Sequence, residues 1–207
     1  MSKKKATKVY VNDTKKELEI LIGDFRFQAK NENQNKFCKL IEEKEIVICS
    51  GPAGVGKSML SVAKALELLK NSDNEYYKIL ICTPTVESAG EKIGFLPGSL
   101  AEKLAPFNYS TIYLLEKILG KNKVEKLMAE GYVEIIGLGF LRGVNIDNSI
   151  VIAEEFQNAN HLQVKTLLTR IGYNSKFIIS GDLDQSDKFQ KISDTGLHNA
   201  FHRLENK

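Results

Sequence analysis

The sequence predicts an α/β domain, a three-layer α/β/α sandwich around a mostly parallel sheet. Two observations predict it. Short runs of β-branched and apolar residues recur along the 207-residue chain and alternate with longer segments of helical apolar period, the pattern of strands joined by crossover helices. At one strand-to-helix junction stands Gly51-Pro52-Ala53-Gly54-Val55-Gly56-Lys57-Ser58, which fits G-x-x-x-x-G-K-[ST] at every fixed position.

That turn carries the chemistry. Its glycines permit a backbone whose successive N–H groups converge on phosphate oxygens. Lys57 is spaced to reach the β- and γ-phosphates of a nucleotide such as ATP, and the Ser58 hydroxyl to hold Mg2+. Upstream, Glu45 to Ser50 reads as a buried strand; downstream, Met59 to Lys70 places Leu60, Ala63, Leu66 and Leu69 in helical period. The helix dipole then points at the anion. The expected nucleotide-binding set is Gln34, Gly51, Pro52, Ala53, Gly54, Val55, Gly56, Lys57, Ser58 and Met59.

Bulk composition sets limits. With 43% hydrophobic residues the chain can bury one sizeable core. A net charge of +3 permits nucleic-acid contacts without arguing for them. Cys38, Cys49 and Cys82 are odd in number and lack zinc spacing, which suits reduced core thiols. The lysine-rich start has no apolar leader and no run is long enough to span a membrane, so the expectation is a cytoplasmic protein.

Taken in order, residues 1–30 are expected to form an N-terminal extension with short strands at Val9–Val11, Leu18–Ile22 and Phe25–Phe27, ahead of a domain over 31–207. Gln34 precedes an amphipathic helix through Leu40 and Ile41; its amide offers the donor and acceptor that match an adenine edge, and it equally suits a helix cap or the surface. A second strand, Tyr77 to Cys82, ends at Thr83-Pro84-Thr85. Helices are expected at Ser99–Ala105, Tyr109–Leu119 and Lys123–Glu130, with Gly120 and Gly131 as stops. Val133–Ile136 is a third strand and Ser149–Ala153 a fourth.

The fourth strand closes on Glu154-Glu155. A buried strand ending in acids downstream of a phosphate loop suits one carboxylate near Mg2+ and a second that polarises the attacking water. The pair also suits a helix N-terminus. A helix over His161–Arg170 leads to a fifth strand, Lys176–Ser180, followed by Gly181-Asp182-Leu183-Asp184-Gln185. Gln185 could sense a γ-phosphate or align water; a plain polar turn is the alternative. Asp182, Asp184 and Asp187 form an acidic cluster read first as part of this turn. His198 and His202 share a helix face, a spacing that can hold metal, although no third ligand is near.

Together these residues resemble the PhoH-like family of P-loop ATPases, which has a RecA-like fold related to the first core domain of superfamily 1 helicases. The likeness covers about residues 31–197. It is carried by Asn33-Gln34, Gly51 to Ser58, the run Glu87 to Gly98 (most family-specific from Glu91 on), Arg142-Gly143, Glu154 to Asn158, Leu168 to Gly172, and Gly181-Asp182 with Gln185. The sequence departs from the family pattern where Glu154 replaces the usual Asp, where Phe156 takes a small-residue position, and where Thr83 runs straight into Pro84 with no basic residue between.

The resemblance implies an ATP hydrolase with Mg2+, in which Gln34 reads adenine, Glu154 and Ser58 serve the metal, Glu155 activates water and Gln185 senses the γ-phosphate. It also implies RNA or single-stranded DNA as a partner, with Thr83, Thr85 and Arg142 as candidate contacts. Arg170 is the candidate for charge stabilisation, within the site or across a subunit boundary, and Arg142 its runner-up. Helicases place ATP between two such cores and this chain holds one, so a homo-oligomer, in the form of a ring, is expected. The rival readings are a non-hydrolysing nucleotide-gated binding module and a small-molecule kinase.

Overall fold

A computed structural model describes residues 14–71, 75–84, 104–141, 143–185 and 194–204. Five strands form one sheet: β1 (Ile46–Ser50), β2 (Lys78–Cys82), β3 (Val133–Ile135), β4 (Ser149–Ala153) and β5 (Lys176–Gly181). Their order is β1-β5-β4-β2-β3 and every pairing is parallel. The α/β expectation is therefore met. Helices α1 (14–22), α2 (Glu32–Glu43), α3 (Lys57–Lys70), α4 (Tyr109–Leu119), α5 (Lys121–Ala129), α6 (His161–Leu168) and α7 (Gly196–Leu204) surround it.

Strand alternation divides the core into two layers. Ile79, Ile81, Ile150, Ile152 and Ile178 pack with α1 to α5 on one face. Their sequence neighbours Leu80, Cys82, Val151, Ala153, Phe177 and Ile179 pack with α6 and α7 on the other. Both faces are covered, which is why the strands read as continuous apolar runs. Phe156, in place of a small residue, is fully buried in the second layer.

The N-terminal segment corrects the sequence reading. Leu18–Ile22 lies in α1 and is not a strand. A strand would turn Leu18, Ile20 and Ile22 to one side, whereas the chain buries Leu18, Leu21 and Ile22 and leaves Ile20 76% exposed, the i, i+3, i+4 spacing of a helix face. Burial against α3 decides the matter, and Lys15 staples the helix there by donating to the Leu69 and Tyr76 carbonyls at 3.0 and 2.8 Å. Phe25–Phe27 is not a strand either; Phe25 and Phe27 pack on the first core layer. Val9–Val11 and Glu87–Gly98 lie outside the described residues, as does most of the expected helix at Ser99–Ala105.

Burial also acts on Lys15, pushing its ammonium down to about 8. No helix among the described residues is long and apolar enough to cross a membrane.

Candidate nucleotide-binding site

The carboxyl ends of β1, β4 and β5 finish side by side, the place where open α/β sheets bind ligands. Ser50 pairs with Gly181, and the Gly51 N–H donates to the Gly181 carbonyl at 3.3 Å. The Ser50 hydroxyl accepts from the Leu183 N–H at 3.1 Å. The phosphate loop is thus anchored to the turn after β5 before it leaves the sheet.

The loop reaches α3 through Gly54 and Gly56, whose φ values of 80° and 96° are left-handed, a conformation glycine adopts without strain. Gly56 is the N-cap of α3 and no side chain caps the helix, so its first N–H groups remain available to an anion. The Lys57 ammonium donates to the Gly51 and Pro52 carbonyls, at 2.5 and 2.9 Å, within the curl of the loop.

Gln34 lies against this loop. Its amide donates to the Val55 carbonyl at 2.9 Å and accepts from the Lys30 N–H at 2.7 Å, while its own N–H is capped by Asn31. A Cβ on Gly56 would lie 3.2 Å from its Nε2.

The two acids after β4 have different surroundings. Glu154 is 2% exposed. Its Oε2 accepts from the Thr111 hydroxyl at 2.6 Å, while Oε1 is buried with no hydrogen-bond partner. Burial raises this carboxyl above the usual range; the Thr111 and Ser58 hydroxyls and Lys57 act the other way, and Glu155 adds to the rise. Ser58 is therefore close enough to favour the charged form although it does not satisfy Oε1. Glu155 is exposed and left-handed, with φ 56°, and its Oε2 accepts from the Gln157 amide at 2.6 Å.

A cavity of about 320 Å3 joins these parts. It is lined by Ala53, Gly54 and Gly56 to Met59 of the loop and helix start, by Leu114 and Glu155, and by Gln157, Ser180, Gly181, Asp182 and Gln185. Of the expected loop residues, Gly51, Pro52 and Val55 do not line it. Two larger hollows, of about 800 and 570 Å3, lie along β1 and between α6 and α7 and contain none of the loop, the β4 acids or the β5 turn.

The cavity suits a phosphate chain accompanied by a cation. Among the described residues Glu155 and Asp182 line the cavity with one ammonium, that of Lys57, and Glu154 lies behind them near Ser58, so a bare polyanion would meet repulsion that a divalent cation relieves. Glu154 Oε1, buried and unsatisfied beside the Ser58 hydroxyl, is the orphan acceptor that a hydrated cation would satisfy. Among the described residues no cluster of three or more His, Cys, Asp or Glu side chains forms a closed metal site. The His198–His202 pair stays a pair, its Nε2 atoms 3.2 Å apart.

Two expectations about contacts change, those for Thr83 and Arg170. Thr83 is 7% exposed and its hydroxyl donates to Asn108 Oδ1 at 2.9 Å, so it is internal structure and offers no surface to a polymer. Thr85 and Arg142 lie outside the described residues. Arg170 is not brought to the cavity: its carbonyl accepts from Ile146 N–H and Ile171 bridges Ile146, ahead of β4, toward the amino ends of the strands. Its within-site role is not met in this chain.

Thr111 and Gln157 escape the sequence reading. Gln157 was visible only as part of the run after Glu155, and Thr111 sits in an amphipathic helix with no motif to mark it.

The family profile described as PhoH-like protein matches residues 26–207. A PhoH-like protein of Bacillus subtilis is 41% identical over 160 residues, covering 77% of this chain and 49% of that protein. One from Synechocystis is 39% identical over 160 residues, covering 77% and 48%. Protein PhoH of Escherichia coli K12 is 37% identical over 179 residues, covering 86% and 49%. The chain spans about half the length of these relatives.

Proposed function

Because the chain belongs to the PhoH-like protein family, we propose that it binds ATP with Mg2+, hydrolyses it, and couples turnover to RNA or single-stranded DNA. The observation that carries this reading is the convergence of the phosphate loop, Glu155 and the Gln185 turn on one cavity, with Glu154 buried behind Ser58.

In the proposed reaction, water attacks the γ-phosphorus in line with the bond to the β–γ bridging oxygen. That bond breaks, ADP leaves, and the Glu155 carboxylate takes the water's proton. Lys57 exchanges its loop carbonyls for phosphate oxygens. Ser58 and Glu154 are the residues that would hold Mg2+, which when bound neutralises charge on the β- and γ-phosphates. Gln34, held against Val55, would meet adenine with its second amide hydrogen and remaining lone pair. Gln185 would sense the γ-phosphate.

A polymer surface is supported by α4. Tyr109 and Tyr113 are 67% and 51% exposed and stacked, with ring centroids 6.2 Å apart. Lys117 continues the same face one turn on, a pattern suited to bases and phosphates. The same helix holds Glu154 through Thr111. Among the described residues no arginine lines the cavity, which supports a homo-oligomer in which Arg170 of a second copy completes the site.

Phosphate release from ATP·Mg2+, measured across protein concentration and with or without poly(U) or oligo(dT), tests the reading. Turnover should be stimulated by polymer and rise with assembly. Glu155→Gln should keep ATP bound and cut hydrolysis by about 10²–10⁴-fold, the contribution of a general base. Absence of phosphate release, or a Glu155→Gln variant as fast as the parent, would overturn it.

A further inference from the structure

We propose that Gln157 is a positioning residue that holds the Glu155 carboxylate in register with the turn carrying Gln185. The inference deepens the hydrolytic reading above and depends on it.

Gln157 is 5% exposed yet lines the cavity. Its Nε2 donates to Glu155 Oε2 at 2.6 Å, and its Oε1 accepts from the Asp182 N–H at 3.2 Å. Chemistry fixes the orientation of the amide: reversed, it would set oxygen against carboxylate and NH2 against N–H. One side chain thus joins the acid after β4 to the backbone after β5.

The connection continues into both neighbouring parts of the site. The Asp182 carbonyl accepts from the Gln185 N–H at 3.2 Å. Leu183 and Gly181 are bonded to Ser50 and Gly51 at the root of the phosphate loop. A shift of the Gln185 turn is therefore transmitted to Glu155 through a single buried amide.

Glu155 needs such a hold. It is the exposed member of the acid pair and its backbone is left-handed, at φ 56°, a conformation that costs a non-glycine residue energy and persists only where the surroundings enforce it. An unanchored glutamate there would sample several rotamers, and a displacement of about 1 Å can cost about 10²-fold in rate.

The test is a pair of variants read as kcat against binding. Gln157→Glu keeps the acceptor for Asp182 N–H and loses the donor to Glu155. Gln157→Leu loses both at similar volume. Both should lower kcat by about 10²-fold, while in Gln157→Leu, which adds no charge to the cavity, the Kd of a non-hydrolysable ATP analogue changes less than about 3-fold. In a Glu155→Gln background, Gln157→Glu should change the residual rate by less than about 3-fold, because the group it positions is gone.

An unchanged kcat in Gln157→Glu would overturn the proposal. So would a Kd in Gln157→Leu that rises in step with the loss of rate, or an equal loss for Gln157→Glu in the Glu155→Gln background. If either variant fails to fold by thermal melting, the other decides; if both fail, Gln157 is a structural residue and the proposal falls. Should the parent chain release no phosphate, or Glu155→Gln be fully active, the hydrolytic reading fails and takes this inference with it. If both controls behave and Gln157→Glu retains its rate, only the positioning role fails.

Discussion

The Thr111 hydroxyl donates to Glu154 Oε2 over 2.6 Å, tying the first turn of α4 to the end of β4. The acid nearest the expected cation is thus steadied by a helix that also presents two tyrosines to solvent.

Replacing Thr111 by Val keeps the shape and removes the Oε2 hydrogen bond of this buried carboxylate, whose Oε1 already lacks a partner. Stability should fall by ~1–3 kcal/mol, and the Mg2+ concentration for half-maximal turnover should rise. Urea melts and a Mg2+ titration check this; a variant matching the parent in both removes Thr111 from the site.

Tyr109→Ala with Tyr113→Ala should weaken binding of an oligo(U) probe by about 10–100-fold, within the 1–3 kcal/mol expected per stacked base. Fluorescence anisotropy reads the affinity directly. Equal affinities would remove α4 as the polymer surface.

Gly181→Ala should destabilise the chain by ~1–3 kcal/mol, the usual cost of overpacking. A Cβ there would lie 2.5 Å from Leu197 Cδ2, 2.7 Å from Gln157 Oε1 and 3.0 Å from Gln157 N. The loss of turnover should exceed the loss of folded protein, since Gln157 must move. A melt within about 0.5 kcal/mol of the parent would contradict the packing described.

Lys15 gives stability a pH dependence of defined sign. Burial sets the folded ammonium near 8, against 10.5 for an exposed lysine. Between those values the unfolded chain binds a proton that the folded chain lacks, so this residue's contribution rises with pH through the window and is flat below it. Compared with Lys15→Met, the parent should gain on the order of 2 kcal/mol between pH 7.5 and 10. Parallel pH curves for the two proteins would exclude the effect.

What could be read along the chain was local chemistry. The strand, glycine turn and helix at Gly51–Ser58 occupy consecutive residues, so spacing alone carries the backbone requirement. Buried parallel strands announce themselves as apolar runs, and Glu154-Glu155 could be located because a strand end is a position in sequence. Leu18–Ile22 misled because a five-residue segment with four apolar residues suits strand and helix alike, and only packing against α3 chose between them.

The rest depended on which distant residues meet. Thr111 lies 43 residues before Glu154, and Gln157 lies 25 residues before Asp182; nothing in either local pattern signals the pairing. Thr83 turned inward because Asn108 came within reach of its hydroxyl. Arg170 went to the amino ends of the strands, beside Ile146, because α6 runs back from the carboxyl end of β4 before β5 begins. Side-chain hydrogen bonds form at fixed distances in space, so an order of residues can name the phosphate loop while the partners of its acids emerge only once the sheet has set their positions.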